Sequence, residues 1–357
     1  MKIIHVSHDD ISFARFVEPL VFSSRKNGFN VKSIIVKNNN FIKPDGQNFL
    51  ISNYLTFNPF QFFKALFKLI SIIFREKPDI IQCHSTLGSM IPLFISFCLR
   101  VPVRIYHNHG IPYLGYSGLL KLILKILEYL NILLSTQIIT VSPSMRSELQ
   151  RLTPGRDIFC FLPGSSCGLD NKWFQQIKSS YLRDQFLINK KTKILLFVGR
   201  PNHRKGFYNL LDAFSLINLD VCLFLVGITK KDIPKQYKNL KNIITLGIQK
   251  DMLKIYRSSD VLICPSLHEG FGYAILEAAA SNNALLVSNI PGPDAIIDEE
   301  CGYLFDPLDI NDIRAKINMI FSNDEKLKIF KKQAYKKACQ FKSSIITTKY
   351  VKFLKKL

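Results

Sequence analysis

Two glutamates eight residues apart, Glu269 and Glu277, flank a glycine turn in the run Pro265-Ser-Leu-His-Glu-Gly-Phe-Gly-Tyr-Ala-Ile-Leu-Glu277. Ionised carboxylates are the strongest side-chain acceptors for hydroxyl donors, so two of them across a turn suit a ligand with hydroxyls on two sides. The turn itself suits an anion. It lies between the short apolar run Asp260-Val-Leu-Ile-Cys264, which reads as a buried strand, and Ala274 to Ala280, which reads as a helix of good helix formers. At such a junction free N–H groups and the positive end of the helix dipole point outward and stabilise phosphate. A nucleotide sugar meets both demands, because its ribose and hexose hydroxyls lie on either side of a diphosphate. Alone, Glu269 reads better as a loop-closing residue and Glu277 as a solvated helix residue, and only the combination points to a site.

A second run, Ile194-Leu-Leu-Phe-Val-Gly-Arg200-Pro-Asn-His-Arg-Lys205-Gly206, ends a buried strand in glycine and follows it with basic side chains and a second glycine. Cations there would neutralise a departing diphosphate. In open parallel sheets ligands collect beyond the carboxyl ends of the strands, where both runs are expected. Basic side chains on a basic protein are ordinarily just solvated, and it is the position directly after Val198-Gly199 that sets Arg200 and Lys205 apart.

Together these residues carry a resemblance. Gly-Arg-x4-Lys-Gly followed by Glu-Gly-Phe-Gly-x4-Glu resembles the donor half of the retaining glycosyltransferases of family GT4, which have the GT-B fold. Ile139-Thr-Val-Ser-Pro143, Pro163-Gly-Ser-Ser-Cys-Gly-Leu-Asp170 and Ser288-Asn-Ile-Pro-Gly-Pro-Asp294 fall where such enzymes carry related segments. The first half, with Arg104-Ile-Tyr-His-Asn-His-Gly110, is most similar to bacterial transferases that extend undecaprenyl-diphosphate-linked sugars for O-antigen, capsule or glycoprotein glycans.

The resemblance implies that Arg200 and Lys205 hold the diphosphate, Glu269 meets hydroxyls of the transferred sugar and Glu277 binds ribose. The amides of Gly270, Phe271 and Gly272 would help hold sugar and phosphate. His109 would face the donor's reacting carbon across a cleft, orienting it and stabilising charge while the donor phosphate takes the acceptor's proton. It also implies a UDP-sugar donor and retention of anomeric configuration. One segment departs from the family pattern: a glycine-pair loop after the first strand is replaced by His5-Val-Ser-His-Asp-Asp10.

These residues need a scaffold, and the chain is long enough for two domains at 357 residues. Short β-branched runs at Lys2 to Val6, Val31 to Val36, Asp79 to Cys83, Val103 to His107 and Gln137 to Val141 alternate with helical stretches. The pattern repeats at Ile194 to Val198, Val221 to Val226, Ile243 to Leu246, Val261 to Cys264 and Ala284 to Val287. Such alternation predicts an α/β protein with parallel, doubly wound sheets. With the resemblance, this becomes two Rossmann-like domains facing a central cleft. The expected domains are an acceptor-binding one over 1–180, a donor-binding one over 190–340, and a basic helix over 341–357 that returns toward the first. Asn38-Asn-Asn40 reads as a turn. No GxGxxG follows the first strand, which argues against a nicotinamide dehydrogenase.

His5, His8, His84, His107 and His109 are all expected near carboxyl ends of strands in the first half. No carboxylate pair of the DxD type sits beside a strand end and the eight cysteines form no CxxC, so nothing calls for a metal or other cofactor. The cysteines read as reduced, and the chain opens into a strand rather than a signal peptide, which together predict a cytoplasmic protein.

The formal net charge is +21, and eleven lysines with no acid lie between Lys326 and Leu357. Two apolar helical stretches, Phe62 to Phe74 and Leu119 to Leu134, also carry lysines, and neither is an unbroken span of about 20 apolar residues. They suit lying on an anionic inner-membrane surface at its cytoplasmic face, beside a lipid-linked saccharide acceptor. An apolar helix can equally pack on its own sheet with its lysines reaching to water. The leading expectation is therefore a retaining transferase moving a hexose or N-acetylhexosamine from a UDP-sugar to an undecaprenyl-diphosphate-linked saccharide. A nucleotide-sugar epimerase or hydrolase would share the donor site without needing a lipid surface. A basic nucleic-acid-binding module lacks any recognition motif, and paired acids would repel its phosphates.

Overall fold

A computed structural model describes residues 1–37, 47–56 and 58–357. They divide into two compact units, Met1–Gly168 with Ser343–Leu357, and Leu169–Lys342. Residues 169–180, on the first-domain side of the boundary expected from composition, count with the second unit. Leu169 pairs there with Lys342, and its N–H donates to the Phe341 carbonyl at 2.9 Å. The Asn38–Asn40 turn lies outside the described residues.

The first unit is built on seven parallel strands: β1 (Lys2–Asp9), β2 (Asn30–Lys37), β3 (Asn48–Leu50), β4 (Ile80–His84), β5 (Val103–His107), β6 (Gln137–Thr140) and β7 (Ile158–Cys160). Their order is β3-β2-β1-β4-β5-β6-β7, so the direction of winding reverses between β1 and β4. Ile3, Ile4, Val6, Ile80, Ile81 and Ile105 are buried, as strands covered on both faces require. β1 runs on to Asp9, so most of His5–Asp10 is strand rather than loop. Asp9 then caps the next turn, its carboxylate accepting the Ser12 N–H at 2.7 Å. The last helix, Ser343–Leu354, belongs to this unit, where Tyr350 and Phe353 pack on Phe161.

Three helices of the first unit carry apolar side chains into solvent. In Gly118–Leu134, Leu119, Leu122, Ile126, Tyr129 and Leu133 recur every three or four residues and are all exposed, Leu119 to 73%. Glu128 and Asn131 of the same helix are fully buried. The helix is thus inverted relative to an ordinary amphipathic one. Pro59–Glu76 exposes Phe60, Phe63, Phe67 and Phe74, and Thr86–Cys98, which packs against both, exposes Leu87, Phe94 and Phe97. Among the described residues, no helix is long and apolar enough to cross a membrane.

The second unit has six parallel strands: β8 (Lys193–Val198), β9 (Val221–Val226), β10 (Ile243–Gly247), β11 (Val261–Cys264), β12 (Ala284–Ser288) and β13 (Gly302–Phe305). Their order, β10-β9-β8-β11-β12-β13, reverses between β8 and β11. Leu195, Phe197, Phe207, Leu210, Leu225, Ile263 and Leu286 form part of a continuous apolar core. Two of its carboxylates anchor lysines of the basic C-terminal stretch, half-buried Asp260 pairing with Lys331 at 2.7 Å and exposed Asp298 with Lys337 at 2.6 Å.

Gly206 sits where the segments after β8 and β11 touch. Its φ is +64°, and a Cβ built there would lie 1.8 Å from the Pro265 carbonyl oxygen. No rotamer relieves a clash with backbone. Gly206→Ala should therefore destabilise the second unit by at least about 2 kcal/mol, read as a lowered thermal midpoint; an unchanged midpoint would show that the two segments can move apart freely.

Candidate active site

The winding reversal of the second sheet places the β8 and β11 segments side by side. Asn202 accepts the Lys205 N–H at 3.0 Å and shapes the turn His203–Lys205, so the lysine side chain meets the β11 segment. Lys205 Nζ lies 2.5 Å from Glu269 Oε1, and the Ser266 hydroxyl donates to the same oxygen at 2.7 Å. Burial alone would raise the Glu269 carboxyl. The Lys205 charge and hydrogen bonds from Lys205, Ser266 and Cys264 outweigh it and hold the carboxyl below the usual range. Glu269 is therefore an ionised acceptor at neutral pH, with Oε2 not engaged by these donors.

Helix Tyr273–Ala280 opens at Gly272, and its Glu277 is buried rather than solvated. A buried carboxylate is costly without donors. Tyr256 supplies one, its hydroxyl donating to Glu277 Oε2 at 3.0 Å. Tyr256 packs edge-on to Trp173. Among the described residues the amides of Gly270, Phe271 and Gly272 donate to no protein acceptor. The Phe271 ring is buried against Tyr273 and Phe341, which fixes the backbone that carries these amides. Arg200 is exposed, and none of the ion pairs among the described residues involves it. The unit thus gathers one exposed cation, one paired cation, two acids and a row of unused amides, a set able to hold hydroxyls and a diphosphate.

A different cluster forms at the winding reversal of the first sheet. His5 of β1, His84 ending β4, His107 ending β5 and His109 just beyond form a hydrogen-bonded group. His5 Nδ1 and His84 Nε2 are 3.0 Å apart, and His84 Nδ1 and His109 Nε2 are 2.9 Å apart. Gln82 Nε2 lies 3.0 Å from His107 Nδ1, while Gln82 Oε1 accepts the Tyr350 hydroxyl at 2.6 Å. Burial pushes His5 down to about 3, lowers His109 to about 4 and takes His84 and His107 well below the ordinary value, so all four are neutral near pH 7. His8 stands apart, half-buried beside Tyr54. One ring nitrogen from each of His84, His107 and His109 lies within 4.8 Å of the other two.

In the same unit, Glu128 accepts hydrogen bonds from Tyr106 at 2.7 Å, Asn108 at 2.8 Å and Thr86 at 2.8 Å. Burial raises its carboxyl to about 7 against those three donors. Asn108 also accepts the Gly110 N–H at 3.0 Å, which fixes the backbone on either side of His109. Sequence reasoning missed Gln82, Asn108, Glu128, Tyr256, Ser266 and Tyr350. Only Glu128 had a signal, as the one acid in a long apolar helix.

Residues 179–337 match the family "Glycosyl transferases group 1" and residues 15–159 match "Glycosyltransferase Family 4". The chain is a glycosyltransferase with a family 4 domain followed by a group 1 domain. This glycosyltransferase is 23% identical over 371 residues to the N,N'-diacetylbacillosaminyl-diphospho-undecaprenol alpha-1,3-N-acetylgalactosaminyltransferase of Campylobacter jejuni, covering 99% of this chain and 98% of that one. It is 27% identical to the UDP-Gal:alpha-D-GlcNAc-diphosphoundecaprenol alpha-1,3-galactosyltransferase of Escherichia coli over 77% of this chain and 74% of the relative. Its fold matches that of HepE from Anabaena, solved with UDP and glucose, at a TM-score of 0.79 and 16% identity over 100% of both chains. The two parallel-sheet units are those of the GT-B fold.

Lys205→Ala and Glu269→Ala should each lower transfer by at least about 100-fold, and Lys205→Ala should also lower the thermal midpoint, because it leaves the largely buried Glu269 carboxylate with only neutral donors. Full activity in both, or unfolding, would remove them from the site. The depressed Glu269 carboxyl stabilises the fold above its unfolded value of about 4.3, and that contribution is lost as pH falls through the lower folded value. Midpoints measured across the acid range should therefore fall less steeply in Glu269→Gln than in the native chain.

Proposed function

We propose that this glycosyltransferase moves a hexose or N-acetylhexosamine from a UDP-sugar to an undecaprenyl-diphosphate-linked saccharide with retention of configuration, in the synthesis of O-antigen, capsule or a related surface glycan. The observation that carries the reading is the Lys205–Glu269–Ser266 cluster beside the unused amides of 270–272. In this reading the second unit binds the donor. Arg200 and Lys205 take the diphosphate, Glu269 and the amides of Gly270, Phe271 and Gly272 take the sugar, and Glu277, oriented by Tyr256, takes the ribose. The bond from the anomeric carbon to the diphosphate oxygen breaks and UDP leaves. The acceptor hydroxyl oxygen bonds the same carbon on the same face, and its proton passes to the departing phosphate. Cationic side chains neutralise that phosphate, so the step needs no metal at the diphosphate. His109 supplies orientation and charge stabilisation rather than acting as general base.

The first unit binds the acceptor in this proposal, and its outward apolar stripes lie on the anionic cytoplasmic face of the inner membrane. A stripe of Leu, Ile and Phe flanked by Lys64, Lys68, Lys121 and Lys125 matches what an interfacial helix needs. The names of the two relatives, both with diphospho-undecaprenol acceptors, support the lipid. UDP is supported by the galactosyltransferase relative and by the ligand solved in HepE.

Incubating the protein with UDP-sugars and a short undecaprenyl-diphosphate-linked sugar should add one hexose or N-acetylhexosamine to the lipid's mass. UDP release without acceptor consumption would favour a hydrolase, and no turnover with any donor would overturn the reading. Replacing Phe60, Phe67, Leu119 and Ile126 by Ser should cut sedimentation with anionic vesicles several-fold, since these side chains are already in solvent and the fold does not depend on them; undiminished sedimentation would take the helices out of the membrane argument.

A further inference from the structure

The histidine cluster contains a buried polar atom with no use in the transfer proposed above. His107 Nε2 is fully buried and meets no hydrogen-bond partner among the described residues, although its ring lies 4.4 Å centroid to centroid from that of His109. With Gln82 Nε2 donating to His107 Nδ1, the ring proton is on Nε2, pointing at imidazoles instead of at an acceptor. Turning the Gln82 amide over keeps both of its hydrogen bonds. Its oxygen then accepts from His107 Nδ1–H and its nitrogen donates to the Tyr350 hydroxyl. His107 Nε2 now carries a lone pair.

The same change of bonding is available to the neighbours. If His84 Nε2–H donates to His5 Nδ1, His84 Nδ1 offers a lone pair next to His109 Nε2. Three imidazole lone pairs then converge, on ring nitrogens within 4.8 Å of one another. Nitrogens that converge without a proton between them repel, and a cation removes the conflict. The outer partners are those that fix metal-bound histidines: His84 is backed by His5, and His107 by Gln82 with Tyr350 behind it.

We propose that His84, His107 and His109 form a binding site for a borderline divalent transition-metal ion of the zinc type, with its remaining position open beside the half-buried His109. Three imidazoles and one open position are a common zinc arrangement, and the edge of such a tetrahedron, about 3.3 Å, lies between the 2.9 Å separation of His84 and His109 and the 4.8 Å limit of the set. Imidazole ligands without carboxylates favour zinc, cobalt, nickel or copper over magnesium and manganese. When the site is filled, His109 acts as a ligand and the ion supplies the positive charge at that point. The site belongs to the first unit alone and does not rest on the donor reading.

The test uses the full chain freed of metal with a chelator and titrated with Co2+, followed by displacement with Zn2+. One equivalent should give the visible absorption of nitrogen-ligated cobalt. His84→Asn and His107→Asn should each lower its affinity by at least about 10-fold, and Gln82→Ala should do so through the outer contact. X-ray absorption of the zinc-loaded native protein should show imidazole scatterers and no sulfur, a readout that needs no variant to fold. No cobalt binding, sulfur ligation from the free cysteines, or binding unaltered in the folded histidine variants would overturn the proposal.

Discussion

Lys205 and Glu269 are 64 residues apart in the chain and 2.5 Å apart in space, and the ion pair exists because β8 and β11 are neighbours across a reversal of winding. A parallel sheet brings the carboxyl ends of its strands to one edge, and a reversal leaves two adjoining segments there with no helix between them. Everything in the donor half follows from that constraint. Gly206 lets one segment lie against the Pro265 carbonyl, the lysine reaches across, and Glu269 stays ionised despite burial because that lysine and Ser266 are within reach. Without the lysine, the same carboxylate would face the cost of burial with only neutral donors.

The first sheet obeys the same geometry with different chemistry. Its reversal brings β1 beside β4, with β5 beyond, and the side chains delivered there are imidazoles and an amide rather than an ion pair. Burial keeps the imidazoles uncharged, and Glu128 is buried in the same unit, tied to Tyr106, Thr86 and Asn108. That buried acid explains why helix Gly118–Leu134 is inverted. With Glu128 and Asn131 taking up part of the inward face beside Leu124 and Ile132, Leu119, Leu122, Ile126 and Leu133 are left facing outward.

Most of the sheet framework was legible because buried parallel strands are short β-branched runs that stand out between polar segments. Val103–His107, Val221–Val226 and Val261–Cys264 match the expected bounds, and others differ by one to three residues. The strands that escaped, Asn48–Leu50, Ile158–Cys160 and Gly302–Phe305, are short edge or near-edge elements whose pairing is imposed by neighbours. In the candidate site, the identities of Lys205, Glu269 and Glu277 could be read from motif spacing. Their partners Ser266 and Tyr256 could not, because a hydroxyl gives no signal until the fold sets a carboxylate against it. The facing of Gly118–Leu134 was also beyond periodicity, since a helix apolar on nearly all sides has no preferred side until Glu128 and Asn131 find partners.

Tyr350, on the last helix, donates its hydroxyl to Gln82 and packs its ring edge-on against Phe161, so the interior of the first unit is closed by a residue 268 positions downstream of that glutamine. Synthesis proceeds from the amino end, and the whole of Leu169–Lys342 is made before Tyr350 emerges. The unit that begins first is therefore completed last: while the ribosome is still working, the second unit can already be whole, and the histidine layer of the first stays open to water until the final helix arrives.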